Sequence, residues 1–461
     1  MKTVRLGAGS GYWGDMIESA TTLAKHGDLD YMGFDFLAEL TMSLLQGAKR
    51  RDPSKGYIPD VVPWMRQLLP ITHERGTRMI LNGGGVNSPA AGEAVAAEIR
   101  RADLDRVRLG IIEGDDLTDR IPELRAAGVP LVNLDTGDTD FDSIADRVVS
   151  AHAYVGSESI VEALEQGAEV VIGGRLADSA LYVGPLAHEF GWTPDSGQWD
   201  AIGAAVTIAH VIECAGICCG GMSSQWKDVP DPWNIGFPIA EVSEDTSAVI
   251  SKVEGTGGLI NQWTIKEHLL YETHDPADYR MPDGIADLTT VRVEEIGANQ
   301  VRISDMTGRQ RPDQLKVQIG YTDGWIAEGR VLIPWPDTLE KADRCEEFIR
   351  RRLEIIGIEP REIRFDRVGV DALGGSMISR PSSDPEEIEV RVAARVETRA
   401  EADAIRRELT HFTTAGPVGT AFGAQMKARE VIALWPTLVP RHLVPTNVAV
   451  EEVTRRAHIA S

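Results

Sequence analysis

The sequence predicts an α/β fold: a mostly parallel, doubly wound sheet over residues 1–284, followed by a smaller α+β domain over 285–461 that closes over the carboxyl edge of the strands. Three observations lead there. Apolar β-type runs alternate with amphipathic segments through the first 175 residues, the pattern of parallel strands joined by crossovers. Polar residues and glycines gather in the loops that follow those runs. From about residue 285 the alternation gives way to consecutive strands broken by helices, which marks an antiparallel sheet. About seven strand–helix units approach the eight of a closed barrel, so an incomplete β/α barrel is the alternative. Their uneven spacing favours the open sheet.

The strand candidates of the first part are Val4–Gly7, Tyr31–Phe34, Met79–Leu81, Val107–Ile112, Leu131–Leu134, Ala151–Val155 and Val170–Ile172. Amphipathic stretches separate them: Met16–His26, Leu37–Gln46, Val61–Arg75, Pro89–Arg101, Leu117–Ala127 and Ser159–Gln166. Ile202, Val206, Ile208, Ala209 and Ile212 then predict a largely buried helix over Asp200–Cys214. Past Gly221 the prolines 230, 232 and 238 and the Gly255–Gly258 run read as loop, ahead of a short helix over Thr264–Tyr271. The second domain reads as strands Thr290–Val293, Gln300–Ile303, Leu315–Gly320 and Ile326–Ile333, helix Leu339–Ile356, strands Ile363–Val370 and Ile388–Val396, and helix Arg399–Thr410.

Composition narrows the function. The chain has 461 residues, 43% hydrophobic and 26% charged, enough for two or three cores. Lys and Arg number 47 against 71 Asp and Glu, a net charge of −24 that repels nucleic acid and anionic membrane. No run approaches the roughly 18 apolar residues of a membrane span, and the N-terminus lacks the basic and apolar regions of a signal peptide. The four cysteines, Cys214, Cys218, Cys219 and Cys345, do not space as a disulfide framework. The expectation is a cytoplasmic homo-oligomer handling a small molecule.

The chemistry concentrates at the predicted carboxyl ends of strands and on one helix. His210, Glu213 and Cys214 are spaced i, i+3, i+4 and share a face, so His210 and Glu213 can act as an acid/base pair. Arg175 suits a bidentate grip on a carboxylate, with Asp178 and Glu113 as further catalytic carboxylates. Gly9, Ser10, Gly11, Asn82, Gly83, Gly84, Tyr154, Gly174 and Arg380 are the substrate-binding candidates, and amides in the Gly9–Gly11 and Gly83–Gly85 loops could hold an enolate. The acids Asp35, Glu39, Asp115 and Asp116 would repel an anionic substrate unless a divalent metal, Mg or Mn, bridged them. Gly9, Gly11 and Gly14 match a dinucleotide spacing, but Tyr12 and Trp13 crowd the loop, so no nicotinamide cofactor is expected.

Taken in order, several blocks resemble the acyclic terpene utilisation (AtuA) family: Gly14-Asp15, Tyr31–Glu39, Asn82–Gly85 with Asn87, Glu113–Asp116, Ala153–Gly156, Gly174–Asp178, His210 with Glu213-Cys214, Gly220-Gly221, Tyr271-Glu272 and Leu434–Arg441. The resemblance covers nearly the whole chain. It implies a part in branched-acid catabolism, where acids are activated as CoA thioesters, carboxylated, hydrated and cleaved; family members are often paired with a small separate polypeptide. The reaction that fits is addition or removal of water across a double bond beside a carboxylate or CoA thioester. A non-catalytic thioester-binding or scaffold subunit and a nicotinamide oxidoreductase are the alternatives.

Overall fold

The structure, a computed structural model, describes residues 2–379 and 383–454. Two compact units emerge: one built from the chain up to Gly320 and again from Trp435, the other from Tyr321–Leu434. The division thus falls at Gly320 rather than at 284.

The first unit carries a ten-stranded sheet in the order Arg292–Gly297, Gln300–Ser304, Ala248–Lys252, Pro238–Ser243, Thr3–Ser10, Tyr31–Phe34, Arg78–Leu81, Val170–Gly173, Arg106–Glu113 and Asn447–Thr454. Only the five strands from Thr3–Ser10 to Arg106–Glu113 run parallel. The other joins are antiparallel. The expectation of a mostly parallel, doubly wound sheet is therefore wrong: the sheet is mixed, and because it ends in two edge strands it is not a barrel.

The physical reason lies in the flanking strands. Pro238–Ser243 and Ala248–Lys252 form a hairpin with no helix between its strands, so no strand–helix alternation announces them. Pro238 opens its strand, a position where the missing N–H is tolerated. Arg292–Gly297 and Gln300–Ser304, expected in the second domain, extend this sheet instead, and Asn447–Thr454 returns from the far end of the chain to close its other edge. Leu131–Leu134 is not a strand: Leu131 sits at φ 47 with its carbonyl accepting from Trp435 Nε1 at 2.8 Å, so its apolar run serves loop packing. Val148–Ala153 is a strand outside the main sheet.

Helices cover both faces of the parallel centre. Successive strand residues point to opposite faces. Gly33 leaves room for the Tyr182 ring of the helix Ala180–Phe190, where a Cβ would lie 2.4 Å from a ring carbon. Phe34 packs instead edge-on against Trp64 of the helix Val61–Arg75, with ring centroids 6.0 Å apart. These aromatics belong to one continuous hydrophobic core.

The connections reverse at one place. After Arg78–Leu81 the chain passes beyond its neighbour Val170–Gly173 to reach Arg106–Glu113; after Val170–Gly173 it returns through the helices Ala180–Phe190 and Trp199–Glu213 to Pro238–Ser243. The two adjacent strands send their connections in opposite directions, a switch point of the kind at whose carboxyl ends open α/β sheets bind ligands.

In the second unit Glu387–Val396 pairs antiparallel with Glu362–Val368 and with the Trp325–Pro334 stretch. The amphipathic helices Thr338–Ile356 and Arg399–Thr410 pack Ile349, Leu353, Ile405 and Leu409 with Val331, Val390 and Val392 of the sheet. The strands Leu315–Gly320 and Ile326–Ile333 read from the sequence are one continuous strand, Gln314–Pro334.

Candidate active site

Three neighbouring parallel strands end in polar side chains: Asp35 after Tyr31–Phe34, Asn82 after Arg78–Leu81, and Arg175 after Val170–Gly173 and Gly174. Asn82 Nδ2 donates to Asp35 Oδ1 at 2.5 Å, and the Leu37 N–H donates to the same oxygen at 3.1 Å. Asn82 Oδ1 accepts from the Phe36 N–H at 2.8 Å, fixing which way the amide faces, and Ser10 Oγ donates to the Asp35 carbonyl. Asp35 is buried, and burial holds its pKa well above the usual carboxylate range; the nearby charge of Asp178 adds to this, while Arg175 opposes it. With Oδ1 taken by two N–H donors, Oδ2 is the oxygen free to carry a proton.

Arg175 is 2% exposed and keeps its charge. Its Nη1 donates to Asp178 Oδ1 at 3.0 Å and to the Leu37 carbonyl at 3.4 Å, and its guanidinium lies 4.1 Å from the Tyr154 ring centre, a cation–π contact. The Lys316 ammonium lies 5.0 Å from the same ring and pairs with Glu39.

The helix Trp199–Glu213 is mostly apolar around its circumference and is buried from Ala201 to Glu213. In its last turn His210 Nδ1 lies 3.1 Å from Glu213 Oε1 and 3.1 Å from the Tyr279 hydroxyl. Burial lowers the His210 pKa to about 4, opposed by the carbonyls of Leu269 and His268 and the charges of Glu272 and Asp178. Glu213 is pushed well above its ordinary value by burial and by the charges of Asp178 and Glu272, with Arg175 opposing. Burial thus pushes Glu213 toward its protonated form and His210 toward its neutral form, and Glu213 Oε2 is buried without a hydrogen-bond partner. His268 packs 5.6 Å from His210, ring centre to ring centre, and burial lowers its pKa to about 3.

The sequence-predicted residues divide clearly. Arg175, Asp178, Asp35, Asn82, Tyr154, His210 and Glu213 gather in one cluster. Glu113 is exposed and pairs through its backbone with Asn447. Of the expected metal ligands, Asp116 accepts from its own turn at Thr118, Glu39 from Lys316, and Asp115 from His152 and the Arg175 N–H. Among the described residues no three His, Cys, Asp or Glu side chains are grouped to hold a metal ion. Arg380 lies outside the described residues.

The glycine loops are filled by the protein itself. A Cβ on Gly9 would meet Phe34, and one on Gly11 would lie 2.8 Å from the Cys214 carbonyl carbon. One on Gly83 would meet Val61 at 2.5 Å. The Gly11 N–H donates to Asp15 and the Gly84 N–H to the Gly173 carbonyl, so neither amide is left for an enolate. Burial raises the Cys214 thiol and neighbouring carboxylates raise it further, while the hydrogen bond with Cys219, together with burial, raises the Cys218 thiol, so neither is activated.

His268, Tyr182, His152 and Tyr279 were not singled out as site residues by sequence reasoning. One signal was available. His268, Tyr271 and Glu272 repeat the i, i+3, i+4 spacing of His210, Glu213 and Cys214, although only His268 lies on the helix Gln262–Leu270 and the other two follow its end.

The sequence profile described as acyclic terpene utilisation family protein AtuA matches residues 4–450. The chain belongs to the AtuA family. No curated protein and no solved structure matches it. The AtuA match spans every residue of the cluster, and the family is described by the utilisation of acyclic terpenes.

Proposed function

We propose that this AtuA protein is a hydro-lyase acting on a branched or unsaturated carboxylic acid or its CoA thioester. The observation that carries the reading is the arrangement of one buried guanidinium, stacked on Tyr154, beside the buried carboxyls of Asp35 and Glu213, which burial pushes toward their protonated forms, and the buried imidazole of His210, which burial pushes toward its neutral form.

The chemistry follows from those states. Arg175 and the Asp35 O–H stabilise negative charge on the carboxylate or thioester oxygen as the α-proton leaves. His210 takes that proton; Glu213 gives its own to the departing β-hydroxyl, and water is released. The pair is then His210 protonated and Glu213 ionised, 3.1 Å apart, and proton transfer between them restores the starting state. His210 is a stronger base once Glu213 has lost its proton, since an adjacent carboxylate favours the imidazolium. Hydration runs the same steps in reverse.

The test uses 3-methylbut-2-enoate and its CoA thioester in D2O, followed by NMR for deuterium at the α-carbon and for the β-hydroxy product. Turnover that falls at least about 100-fold in His210→Asn and Glu213→Gln supports the proposal. Binding without turnover in the parent, unchanged in both variants, would favour the carrier or scaffold reading instead.

A further inference from the structure

Beside the Arg175 clamp lies a second histidine–carboxylate pair that the mechanism does not use. His152 Nδ1 is 3.0 Å from Asp115 Oδ2, and that same oxygen accepts the Arg175 backbone N–H at 2.9 Å. His152 is fully buried and Asp115 nearly so. Gly174 makes the approach possible: a Cβ there would lie 2.4 Å from Asp115 Oδ1.

The surrounding backbone is zipped to the same point. The Ala153 N–H donates to the Asp115 carbonyl at 2.8 Å, the Val155 N–H to the Arg175 carbonyl at 3.0 Å, and the Ala177 N–H to the Val155 carbonyl at 2.9 Å. Between these bonds stands Tyr154, the ring on which the Arg175 guanidinium stacks. Both halves of the cation–π clamp therefore hang from a backbone joint pinned by one carboxylate oxygen.

We infer that Asp115 and His152 form a positioning pair that fixes Arg175 against Tyr154 and so sets the anion affinity of the site. His152 orients the Asp115 carboxylate through Nδ1, and Asp115 holds the Arg175 amide; neither needs to touch substrate. The position of the joint rests on geometry alone, whereas its effect on anion binding rests on the function proposed above.

Two readouts separate those claims. Asn in place of His152 keeps a donor near the Nδ1 position, while Gln moves its amide out to the Nε2 position and loses it. In His152→Gln, deuterium exchange of the amides around Arg175 should quicken about 10- to 100-fold, the loss expected for a hydrogen bond to a carboxylate, with exchange in the Arg106–Glu113 strand unchanged. His152→Asn should exchange like the parent. The dissociation constant for 3-methylbut-2-enoate, read by calorimetry, should rise roughly 10-fold or more in His152→Gln and stay close to the parent in His152→Asn. Asp115→Asn, which weakens the shared acceptor, should follow His152→Gln if the latter fails to fold.

Parent-like exchange in both His152→Gln and Asp115→Asn overturns the pin. Loss of binding in His152→Asn equal to that in His152→Gln, with exchange intact, overturns the positioning role in favour of a direct role for Nε2. If exchange responds as described but the parent does not bind 3-methylbut-2-enoate, the proposed function falls and the pin stands.

Discussion

The protonation states assigned to the cluster have an energetic signature that can be measured without any substrate. His268 carries a proton below pH 6.5 when the chain is unfolded but only below about 3 when folded, because burial disfavours the imidazolium and His210 adds to that. Between those values the unfolded chain binds one proton more, so folding stability falls with falling pH by about 1.4 kcal/mol per unit. From pH 6.5 to pH 4 that amounts to about 3 kcal/mol. In His268→Asn the term vanishes: whatever constant offset the substitution brings, the variant should gain about 3 kcal/mol on the parent across that interval. Glu213→Gln should do the opposite. Its folded pKa is raised by burial, so the parent's advantage is present at low pH and is lost as pH rises above the unfolded value near 4.5. Urea midpoints read by tryptophan fluorescence at pH 4.5, 5.5 and 6.5, each variant against the parent, give both slopes. A His268→Asn difference that is flat with pH refutes the buried neutral histidine, and a Glu213→Gln difference that is flat, or that slopes the way expected of His268→Asn, refutes the buried protonated acid.

Three further outcomes follow from single contacts. Arg175→Met leaves Asp178 without the cation it pairs with at 3.0 Å and should cost about 3–5 kcal/mol in urea unfolding while abolishing 3-methylbut-2-enoate binding. Gly11→Ala places a methyl 2.8 Å from the Cys214 carbonyl carbon, which is backbone and cannot swing aside; a loss of about 1–3 kcal/mol and a lower calorimetric Tm are expected. Asp35→Asn keeps a neutral side chain but exchanges an O–H donor for a weaker amide, so Tm should hold while kcat falls by at least about 10-fold.

What the sequence revealed was decided by periodicity. Tyr31–Phe34 and Val170–Gly173 were legible because each is a short, wholly buried run followed by a helix. The hairpin Pro238–Ser243 with Ala248–Lys252 has no helix to announce it, and Asn447–Thr454 pairs with residues more than three hundred positions earlier; neither fact leaves a local trace. The site shows the same divide. Arg175, Asp178, His210 and Glu213 stand at a strand end and on one helical face, so spacing alone brought them out. Spacing could not say that Glu113, at a strand end like Arg175, belongs to a strand whose far neighbour is the chain's own C-terminal segment and is exposed there. Nor could it say that Gly9 and Gly11 make room for Phe34 and Cys214 rather than for a ligand.

The acids posed the question that the sequence could not answer: how a chain with a net charge of −24 would admit an anion among Asp35, Asp178 and Glu213. A bridging divalent metal was one way to relieve that charge. Burial offers another. A single guanidinium compensates the one carboxylate it touches, Asp178, and the desolvated Asp35 and Glu213 hold protons instead of charge. An incoming carboxylate or thioester then meets a cation, an O–H donor and an acid, and Asp35, which read from the sequence as repulsive, joins Glu213 in stabilising and protonating it. On this view the burial of the cluster creates its acidity. Any substitution that lets water into the cluster should lower the pKa of Asp35 and Glu213 together, turning both from donors into repelling charges and weakening anion binding even where Arg175 stays in place.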